Sequence, residues 1–459
     1  MEKEIIFSKK FLKQFYSLII KYSRMRFFIS LTAIVASNFL FSCSSSPKEK
    51  NNEEQNATIT SSFHQAPEYA PMEAVWLIWP KVEHKKGLAN EAVTKSIIQA
   101  LVPSVKIKLI VGNDSLKNVA KTMLPDSLFT KGYVELFNFD YNEFWARDFG
   151  PAFLINDNGE KAMADFMFND WGYSDTADAY ARKDEKLDEN IAAYYKIPVL
   201  STNIVCEGGD HDVNSGGVMI LCETVEKQRN PSMSLQQIED EYKRVLGVKK
   251  FLWMKEGVRD DDMSTYGAIA GPGNKKYYTV LTTGGHIDEY ARFVNDSTIM
   301  LAWVDSADRT SPVEVATGKR MEINYEILKN AVNTDGHHFN IIKMPMPYLV
   351  TGSMQPGDGV YDVLSTFTYK DGLSFPEGKQ INVVAAASYC NFLIANDKVL
   401  VAKYYKPGMD IKIKNRDEEA VHILQNAFPG KTVVPIDALA VNFGGGGMHC
   451  ITINEPKGK

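Results

Sequence analysis

The chain has 459 residues, of which 44% are hydrophobic and 24% charged, and its net charge is −6 at pH 7. These proportions are typical of a globular protein with a large core, and a net negative charge gives no electrostatic reason to expect nucleic acid as a partner. Its five cysteines are widely scattered, without C-x-x-C or paired Cys/His spacing. That pattern excludes a disulfide scaffold and disfavours structural zinc, so the sequence predicts neither a metal nor a cofactor.

Residues 1–43 have the pattern of an export signal. From Met25, a short basic start at Arg26 is followed by an apolar stretch and then by small residues ending at Cys43. The apolar stretch is too short to span a bilayer comfortably. Its end, Leu-Phe-Ser-Cys, resembles a bacterial lipobox, in which the cysteine carries a lipid. We therefore predict an exported bacterial lipoprotein, periplasmic or on the cell surface, that is anchored to a membrane through Cys43. An uncleaved anchor is the alternative, and Met25 is an alternative start.

Residues 44–64 are polar and poor in apolar side chains. Such a segment cannot bury enough apolar surface to fold, so we predict a disordered tether. Residues 65–459 are predicted to form a single catalytic domain.

Beyond the tether, one order of elements recurs five times. Apolar residues at helical spacing predict helices over 90–102, 184–196, 234–246, 323–334 and 416–428. Apolar strand candidates follow these helices, starting near residues 105, 197, 248, 339 and 431. Hairpins with Asn, Asp or Gly in their turns are predicted near residues 153, 213, 292 and 392. A strand starting at residue 73 is expected to pair with the last strand and close a ring, giving an α/β fold of radially repeated units.

Each repeat carries a polar cluster near its predicted hairpin. The clusters are FWARDFGP (144–151), CEGGDHD (206–212), GGHIDEYARF (284–293), ASYCNF (387–392) and GGMHC (446–450). A radial arrangement would bring all five to one axis. The four glycines at 444–447 are then expected to let the chain approach that axis closely enough to present the sulfur of Cys450.

The acidic residues in these clusters predict the kind of substrate. Cys450 and His286 form a nucleophile and an acid/base pair, and Glu207 can orient the imidazole. Two further carboxylates, Asp148 and Asp288, would disfavour a thiolate unless the substrate is a cation. A guanidinium satisfies this condition because its N–H groups match carboxylates bidentately. We therefore predict hydrolytic deimination to a ureido product and ammonia through a covalent thiouronium on the cysteine.

The clusters resemble those of the agmatine deiminase and Porphyromonas-type peptidylarginine deiminase family, in the guanidino-modifying superfamily. The shared motifs are W-x-R-D-x-G-P at 145–151, E-G-G at 207–209, G-H-x-D at 285–288, S-Y-x-N at 388–391 and G-G-x-H-C at 446–450. The resemblance runs from about residue 65 to residue 456 and implies a five-bladed α/β propeller, or pentein, of ββαβ units. It also implies the same five roles: Cys450 as nucleophile, His286 as acid/base, Glu207 as its partner, and Asp148 and Asp288 as guanidinium clamps.

Four further residues are candidates for substrate contact or for structure. Trp145 and Trp171 could wall an aliphatic stem or belong to the core. Asn391 could contact substrate or stabilise a turn. His449, next to the nucleophile, is expected to point to the opposite face. The remaining thiols are expected to be core residues: Cys206, Cys222 and Cys390.

The catalytic candidates also have plainer interpretations. Asp148 could form a surface ion pair with Arg147, and Glu207 could cap a helix. A metal site could be formed by His286 and Asp288 together with Asp210, His211 and Asp212.

The segment 165–184 bears on the choice of substrate. It resembles the F-N-x-W-G segment of agmatine deiminases, except that Tyr173 stands where glycine is common. The peptidylarginine branch places arginines here, yet none occurs between Arg147 and Arg182. The acidic side chains Asp170, Asp175 and Asp178 favour a cationic far end, such as the primary amine of agmatine. The alternatives are a deiminase acting on arginine in extracytoplasmic peptides and a surface lipoprotein that binds guanidines or peptides without turnover.

Overall fold

The computed structural model describes residues 63–81, 87–370, 372 and 374–458. The predicted export segment and the predicted lipid site at Cys43 lie outside these residues. The boundary predicted for the tether is two residues too late, since Phe63 and His64 already belong to a strand. Phe63 is buried and packs in a hydrophobic cluster, so it belongs to the folded domain.

The described residues form a mixed α/β fold, as predicted. Its strands are β1 (Phe63–Gln65), β2 (Met72–Ile78), β3 (Lys106–Ile110), β4 (Val134–Phe137), β5 (Ala152–Asn156), β6 (Lys161–Met167), β7 (Val199–Val205), β8 (His211–Val213), β9 (Val218–Cys222), β10 (Lys250–Met254), β11 (Ile269–Ala270), β12 (Lys276–Thr279), β13 (Ala291–Asn295), β14 (Thr298–Trp303), β15 (Asn340–Pro345), β16 (Thr351–Met354), β17 (Ile381–Val384), β18 (Leu393–Ala395), β19 (Lys398–Lys403), β20 (Thr432–Asp437) and β21 (Thr452–Pro456). Its helices are α1 (Asn90–Leu101), α2 (Asp114–Met123), α3 (Asp126–Thr130), α4 (Ala146–Phe149), α5 (Ala181–Tyr195), α6 (Glu223–Arg229), α7 (Leu235–Leu246), α8 (Pro312–Asn330), α9 (Gly359–Leu364), α10 (Ile411–Ala427) and α11 (Leu439–Gly444).

Five of the sheets described contain three strands in the same arrangement, which we call a triplet. Two strands pair antiparallel, and the second of them pairs in parallel with a third strand that follows a helix. The triplets are β5-β6-β7, β8-β9-β10, β13-β14-β15, β18-β19-β20 and β21-β2-β3. The last triplet joins the two ends of the domain, because β21 pairs antiparallel with β2. The pairing predicted between the strand at residue 73 and the last strand is therefore confirmed.

Two helices begin earlier than their apolar periodicity predicted. Helix α8 begins at Pro312 because Ser311 and Glu314 form a capping box there. Helix α10 begins at Ile411, where the side chain of Asp410 accepts a hydrogen bond from the backbone N–H of Lys412. Polar caps thus fix where both helices begin, and the added turns also reach the core, since Val313 and Met321 are buried.

A further sheet, β11-β12-β17-β16, was not predicted. Its strands have two to four residues each, which is too short for a clear alternation of apolar and polar side chains. The sheet is assembled from segments of chain that are far apart in sequence, and β12 pairs in parallel with β17. Only long-range pairing reveals it.

The five polar clusters occupy equivalent places in the triplets. Each one leads into the first strand of its triplet: 144–151 into β5, 206–212 into β8, 284–293 into β13, 387–392 into β18 and 446–450 into β21. Equivalent loops of five different sheets therefore supply the candidate site residues.

Within the described part of the chain, no helix combines the length and the apolar character needed to cross a lipid bilayer.

Candidate active site

The sulfur of Cys450 lies at the bottom of a small pocket. The residue is 4% exposed, and the pocket is also lined by Asp148, Trp145 and Trp171. Two donors face the sulfur, the backbone N–H of Gly447 at 3.3 Å and the side-chain amide of Asn391 at 3.2 Å. These donors can stabilise a thiolate.

The glycines before Cys450 permit close packing around the sulfur. Gly445 has φ of +133°, and a Cβ there would lie 2.2 Å from the carbonyl oxygen of Leu281. A Cβ on Gly446 would lie 2.7 Å from the ring of Trp145 and 3.1 Å from the sulfur. Side chains at these positions would collide with the walls of the pocket, which explains why both residues are glycine. An approach of the glycine run to a central axis stays a prediction.

His286 is held by a buried carboxylate. Its Nε2 lies 3.2 Å from Oε2 of Glu207, whose two oxygens accept hydrogen bonds from Nε of Arg229 at 2.8 and 2.9 Å. The side chains of Glu207 and Arg229 are 0% and 1% exposed. Glu207 does not cap a helix with its side chain. Its carboxylate instead contacts the imidazole, and its role in the reaction stays a prediction.

Asp148 lies on the opposite side of the imidazole. Its Oδ1 is 3.6 Å from Nδ1 of His286 and accepts a hydrogen bond from the backbone N–H of Gly209 at 3.1 Å. Its Oδ2 accepts a hydrogen bond from the indole of Trp171 at 2.8 Å. The surface ion pair considered for Asp148 is excluded, because this side chain is buried and Arg147 contacts Glu68 instead.

Three of the predicted residues meet at a single glycine. A Cβ on Gly209 would lie 2.5 Å from Nδ1 of His286, 2.8 Å from Oδ1 of Asp148 and 3.2 Å from Oδ2 of Asp288. The absence of a side chain at Gly209 therefore lets one base and two carboxylates approach one another. Buried atoms without a hydrogen-bond partner among the described residues include Nδ1 of His286 and Oδ1 of Asp288, and such atoms call for a ligand.

Asp288 connects the sulfur of Cys450 to a second buried histidine. Its Oδ2 lies 3.4 Å from the sulfur of Cys450 and 2.8 Å from Nδ1 of His449. The other ring nitrogen of His449 lies 2.7 Å from Oε1 of Glu68. His449 was expected to point to the opposite face. The imidazole of His449 contacts the carboxylate of Asp288 and thereby holds this carboxylate beside the sulfur of Cys450.

Asn391 bonds to protein groups on every side. Its side-chain nitrogen donates to Cys450 and, at 2.9 Å, to Oε1 of Glu289, while its oxygen accepts the backbone N–H of His449 at 2.8 Å. Asn391 therefore holds the nucleophile in place, and a contact between Asn391 and substrate stays a prediction.

Burial and neighbouring charges shift the pKa values of the reactive groups. Burial raises the pKa of the Cys450 thiol well above its usual value, and the carboxylates of Asp288 and Glu289 raise it further. Burial raises the pKa of Asp148 to about 6, even though the charge of His286 opposes this shift. Burial alone would lower the pKa of His286, but Asp148 and Glu207 raise it to about 9. The pocket without a ligand thus favours a neutral thiol and a charged imidazole.

The alternative metal site does not assemble. Asp212 binds Arg292, and Nδ1 of His211 lies 3.5 Å from the sulfur of Cys206. Among the residues that the structure describes, the one group of three ligand types with close ligand atoms is Asp288, Glu289 and Cys450. Cys206, Cys222 and Cys390 are buried free thiols, as predicted.

Comparisons with known proteins agree with this geometry. A family model described as Porphyromonas-type peptidyl-arginine deiminase matches residues 64–271 and 274–456. The chain belongs to this family. The chain is 27% identical over 416 residues to the agmatine deiminase of Medicago truncatula, covering 88% of this chain and 98% of that one.

Solved structures of the family share the fold. The agmatine deiminase of Enterococcus faecalis superposes with a TM-score of 0.67 at 24% identity, over 86% of this chain and 96% of its own. An agmatine deiminase of C. jejuni superposes with a TM-score of 0.59 at 21% identity, over 86% and 97% of the two chains. At this level of identity, the likeness establishes the fold alone.

Several site residues of this family member were missed by sequence reasoning. Arg229 lies in helix α6 and Glu68 near the start of the domain, so no local motif connects them to Glu207 or His449. Asp261 binds the backbone N–H groups of Gly285 and His286 at 2.9 and 3.1 Å. Of these residues, Glu289 could have been predicted from the sequence, because it is a second carboxylate directly after Asp288 in a motif already identified.

We expect Arg229→Ala to destabilise the protein strongly. The substitution leaves the buried carboxylate of Glu207 with the imidazole of His286 as its remaining cationic partner, and breaking a buried ion pair in this way costs about 3–5 kcal/mol. Urea unfolding followed by circular dichroism measures the loss. The matched control is Arg244→Ala, which removes an exposed ion pair with Glu241 and should cost about 0–1 kcal/mol. Equal losses in the two variants would contradict the proposed burial of the Glu207–Arg229 pair.

Proposed function

We propose that this protein is a deiminase that hydrolyses a guanidino group to a ureido group and ammonia. The observation that carries the proposal is the cluster around Cys450. Its buried sulfur contacts Asp288, while Asp148, Asp288 and His286 converge at Gly209. The family model and the agmatine deiminases among its relatives support the same reaction.

The excess of carboxylates selects the charge of the substrate. Asp148, Asp288 and Glu289 raise the pKa of the thiol when the pocket holds no cation. A guanidinium offsets this repulsion, and its N–H donors can pair with the oxygens of Asp148 and Asp288. Substrate binding therefore lowers the thiol pKa, and the thiol proton leaves to solvent. The substrate itself activates the nucleophile.

The chemical steps follow from the arrangement of the side chains. The thiolate of Cys450 attacks the central guanidinium carbon, and a sulfur–carbon bond forms. His286, protonated, gives its proton to the departing nitrogen, and ammonia leaves. The neutral imidazole then takes a proton from water as the water attacks the thiouronium carbon. The sulfur–carbon bond breaks, the sulfur leaves as a thiolate, the remaining hydroxyl proton is lost to solvent, and the neutral ureido product forms.

Product release also follows from charge. The ureido product is neutral, so it loses the Coulombic attraction that held the guanidinium to Asp148 and Asp288. The carboxylates thus bind the substrate more strongly than the product, which favours turnover.

An amine substrate such as agmatine fits the pocket better than free arginine. The described residues that line the pocket include Asp148 but no lysine or arginine that could bind a carboxylate. Asp170, which precedes the pocket residue Trp171, adds a further carboxyl group. The acidic surroundings therefore favour a substrate whose far end is cationic.

The arrangement of the five triplets is inferred to be a five-bladed propeller. Each triplet contributes the loop before its first strand to a single connected cluster of hydrogen bonds around Cys450. Five sheets that present equivalent loops to one site are most simply arranged around an axis through that site.

Product analysis tests the proposed reaction. The purified protein is incubated with agmatine, free arginine and peptides carrying arginine, and ammonia and ureido product are measured. We expect agmatine to be turned over most efficiently. Turnover of peptides without turnover of agmatine would reassign the substrate to arginine in peptides. Binding without turnover of any of these compounds would contradict a deiminase and favour a binding protein.

The value of kcat/KM should be highest at alkaline pH. The reaction needs a thiolate and a protonated His286, so the resting pair must lose one proton. His286 has a pKa of about 9 and the thiol pKa is raised, so kcat/KM should rise with pH up to about 9. Below about 6 it should fall more steeply, because Asp148 becomes protonated and loses its charge.

The rise of kcat should lie at lower pH than the rise of kcat/KM, since bound guanidinium lowers the thiol pKa. Steady-state kinetics between about pH 5 and about pH 10 measures both profiles. This range includes the pKa of Asp148, about 6, and that of His286, about 9. A maximum of kcat/KM below neutral pH would contradict the assigned protonation states.

Export and lipid attachment at Cys43 remain part of the proposal. They rest on the sequence pattern from Met25 to Cys43 alone. Metabolic labelling with radioactive palmitate, with Cys43→Ala as the control, tests the anchor. Absence of label on the wild-type protein would exclude it.

A further inference from the structure

A chain of contacts leads from the sulfur of Cys450 to the beginning of the domain. Oδ2 of Asp288 lies 3.4 Å from the sulfur and 2.8 Å from Nδ1 of His449. Nε2 of His449 lies 2.7 Å from Oε1 of Glu68. Glu68 belongs to the segment between β1 and β2, far from Asp288 and His449 in the sequence. One imidazole therefore joins a carboxylate beside the sulfur to a carboxylate from the start of the domain.

Both carboxylates in this chain are ionised. Burial opposes the charged form of Asp288, but the hydrogen bond to His449 and the charge of this ring hold its pKa below the usual value. Burial also opposes the charged form of Glu68, but Arg147, His449 and Arg292 hold its pKa well below the usual value. Nη1 of Arg147 lies 2.8 Å from Oε1 of Glu68, and Arg292 binds the same carboxylate.

These contacts determine which atoms of the His449 ring carry protons. An ionised carboxylate accepts hydrogen bonds and donates none. The two ring nitrogens face such carboxylates at 2.8 and 2.7 Å, so each nitrogen must donate a proton. Only the charged imidazolium has a proton on both nitrogens. The side chain is 2% exposed, so its charge acts on Asp288 with little screening by water.

The two predicted guanidinium clamps therefore have different support. Asp148 accepts hydrogen bonds from neutral donors, the indole of Trp171 and the backbone N–H of Gly209. Burial raises its pKa to about 6. Asp288 is equally buried, yet its pKa is lowered, because it accepts a hydrogen bond from His449. A buried carboxylate stays charged when a hydrogen-bonded cation compensates it.

Other charged groups face Asp288 and His449 from the neighbouring elements. The cations favour the ionised form of Asp288, and the acidic groups oppose it. The cations are His286, Arg292 and Arg147, and the acidic groups are Asp148, Glu289 and Asp212. Among the described residues, His449 is the one cation hydrogen-bonded to Asp288, so its removal should have the largest effect.

We propose that His449 is a buried imidazolium that keeps the Asp288 clamp ionised, and that Glu68 keeps this imidazolium charged and aligned. Both are positioning residues, since Glu68 acts through His449 and His449 acts through Asp288. Mild acid then neutralises the Asp148 clamp while the Asp288 clamp stays charged. The role of Asp288 rests on the proposed deimination, whereas the charge of His449 can be measured without any substrate.

Nitrogen NMR tests the charge of His449 in the resting protein. The chain has eight histidines, so isotope-labelled histidine is incorporated and the signals of His449 are identified by their loss in His449→Asn. His449→Gln serves the same purpose if the asparagine variant does not fold. We expect both ring nitrogens to carry a proton at neutral pH, and Nε2 to lose its proton in Glu68→Gln. A neutral ring in the wild-type protein would overturn the proposal.

The affinity for agmatine tests the effect on Asp288. Asparagine at position 449 can still donate a hydrogen bond but carries no charge, so the pKa of Asp288 should rise in His449→Asn. Calorimetry in the Cys450→Ser background gives Kd at about pH 5.5 and at about pH 8, on either side of the pKa of Asp148. In His449→Asn both clamps are protonated at the lower pH, so we expect the ratio of the two Kd values to be about 10-fold larger than without this change. An unchanged ratio would exclude the role of His449.

A matched control separates this role from packing. Asp212 is another buried carboxylate that binds Arg292, at 3.2 Å, and it also accepts the backbone N–H of Phe293. Asp212→Asn should change neither the protonation of His449 nor the ratio of Kd values. Glu68→Gln should raise that ratio on its own but have no further effect in His449→Asn, because Glu68 acts through the imidazole. Equal effects of Glu68→Gln with and without His449 would refute its role.

The deiminase proposal and this inference can fail separately. If the protein neither binds nor turns over a guanidine, the deiminase proposal fails, and NMR still decides the charge of His449. If agmatine is turned over but the His449 ring is neutral, this inference fails and the deiminase proposal stands.

Discussion

Replacing Cys450 by serine is expected to abolish deimination while the protein still binds its substrate. A serine hydroxyl is a far weaker nucleophile than a thiolate, and loss of a catalytic nucleophile lowers kcat by about 10⁴-fold or more. The carboxylates that would hold the guanidinium, Asp148 and Asp288, stay in place. Ammonia release measures the first effect, and calorimetry with agmatine measures the second.

The covalent step can be observed directly. Wild-type protein quenched during turnover should carry the mass of the thiouronium adduct on the peptide that contains Cys450, and Cys450→Ser should carry none. Cys222→Ser is the matched control, because Cys222 is another buried thiol, with Thr224 as its hydrogen-bond partner at 3.2 Å. Substantial turnover by Cys450→Ser would refute the covalent mechanism.

Replacing Asp288 by asparagine is expected to weaken substrate binding strongly. The side chain keeps its size but loses its charge, and losing one partner of a buried charge pair costs about 2–5 kcal/mol, or roughly 30- to several thousand-fold in Kd. Calorimetry in the Cys450→Ser background measures the affinity without turnover. Asp335→Asn, which removes an exposed carboxylate, is the control and should leave Kd unchanged. Unchanged affinity in Asp288→Asn would exclude its role as a clamp.

The same substitution should make the free thiol more reactive. Asp288 is one of the carboxylates that raise the pKa of Cys450, so its neutralisation lowers that pKa. We expect iodoacetamide to alkylate Cys450 faster in Asp288→Asn than in the wild-type protein at neutral pH. A merely structural role for Asp288 predicts no such opposition between weaker binding and faster alkylation. Slower alkylation would contradict the charge argument.

These opposed effects are expected of a site whose carboxylates disfavour the thiolate of Cys450 until a guanidinium binds. Asp288 and Glu289 flank the sulfur, and Glu289 has its own pKa raised well above the usual value by burial and by Asp288. An apolar or neutral molecule would leave the repulsion between the Asp288 carboxylate and a thiolate unrelieved, while the raised pKa of Glu289 favours its neutral form. The guanidinium relieves it, so discrimination and activation have one physical origin.

The sequence by itself determined which residues to expect at the site. Cys450, His286, Glu207, Asp148 and Asp288 were all predicted, and the structure brings all five together. This was possible because each lies in a short motif whose neighbours, glycine, tryptophan or a second polar residue, signal a shaped loop. The repeat of helix, strand and hairpin was equally visible, because apolar periodicity is a local property of the chain.

Only the tertiary structure decided which groups support these residues. Arg229 holds Glu207, Glu68 contacts His449, and Asn391 donates to the sulfur, yet each partner lies far away in the sequence. Hydrogen bonds of this kind depend on where separate strands and loops meet in space, whereas motifs and periodicity depend only on neighbouring residues.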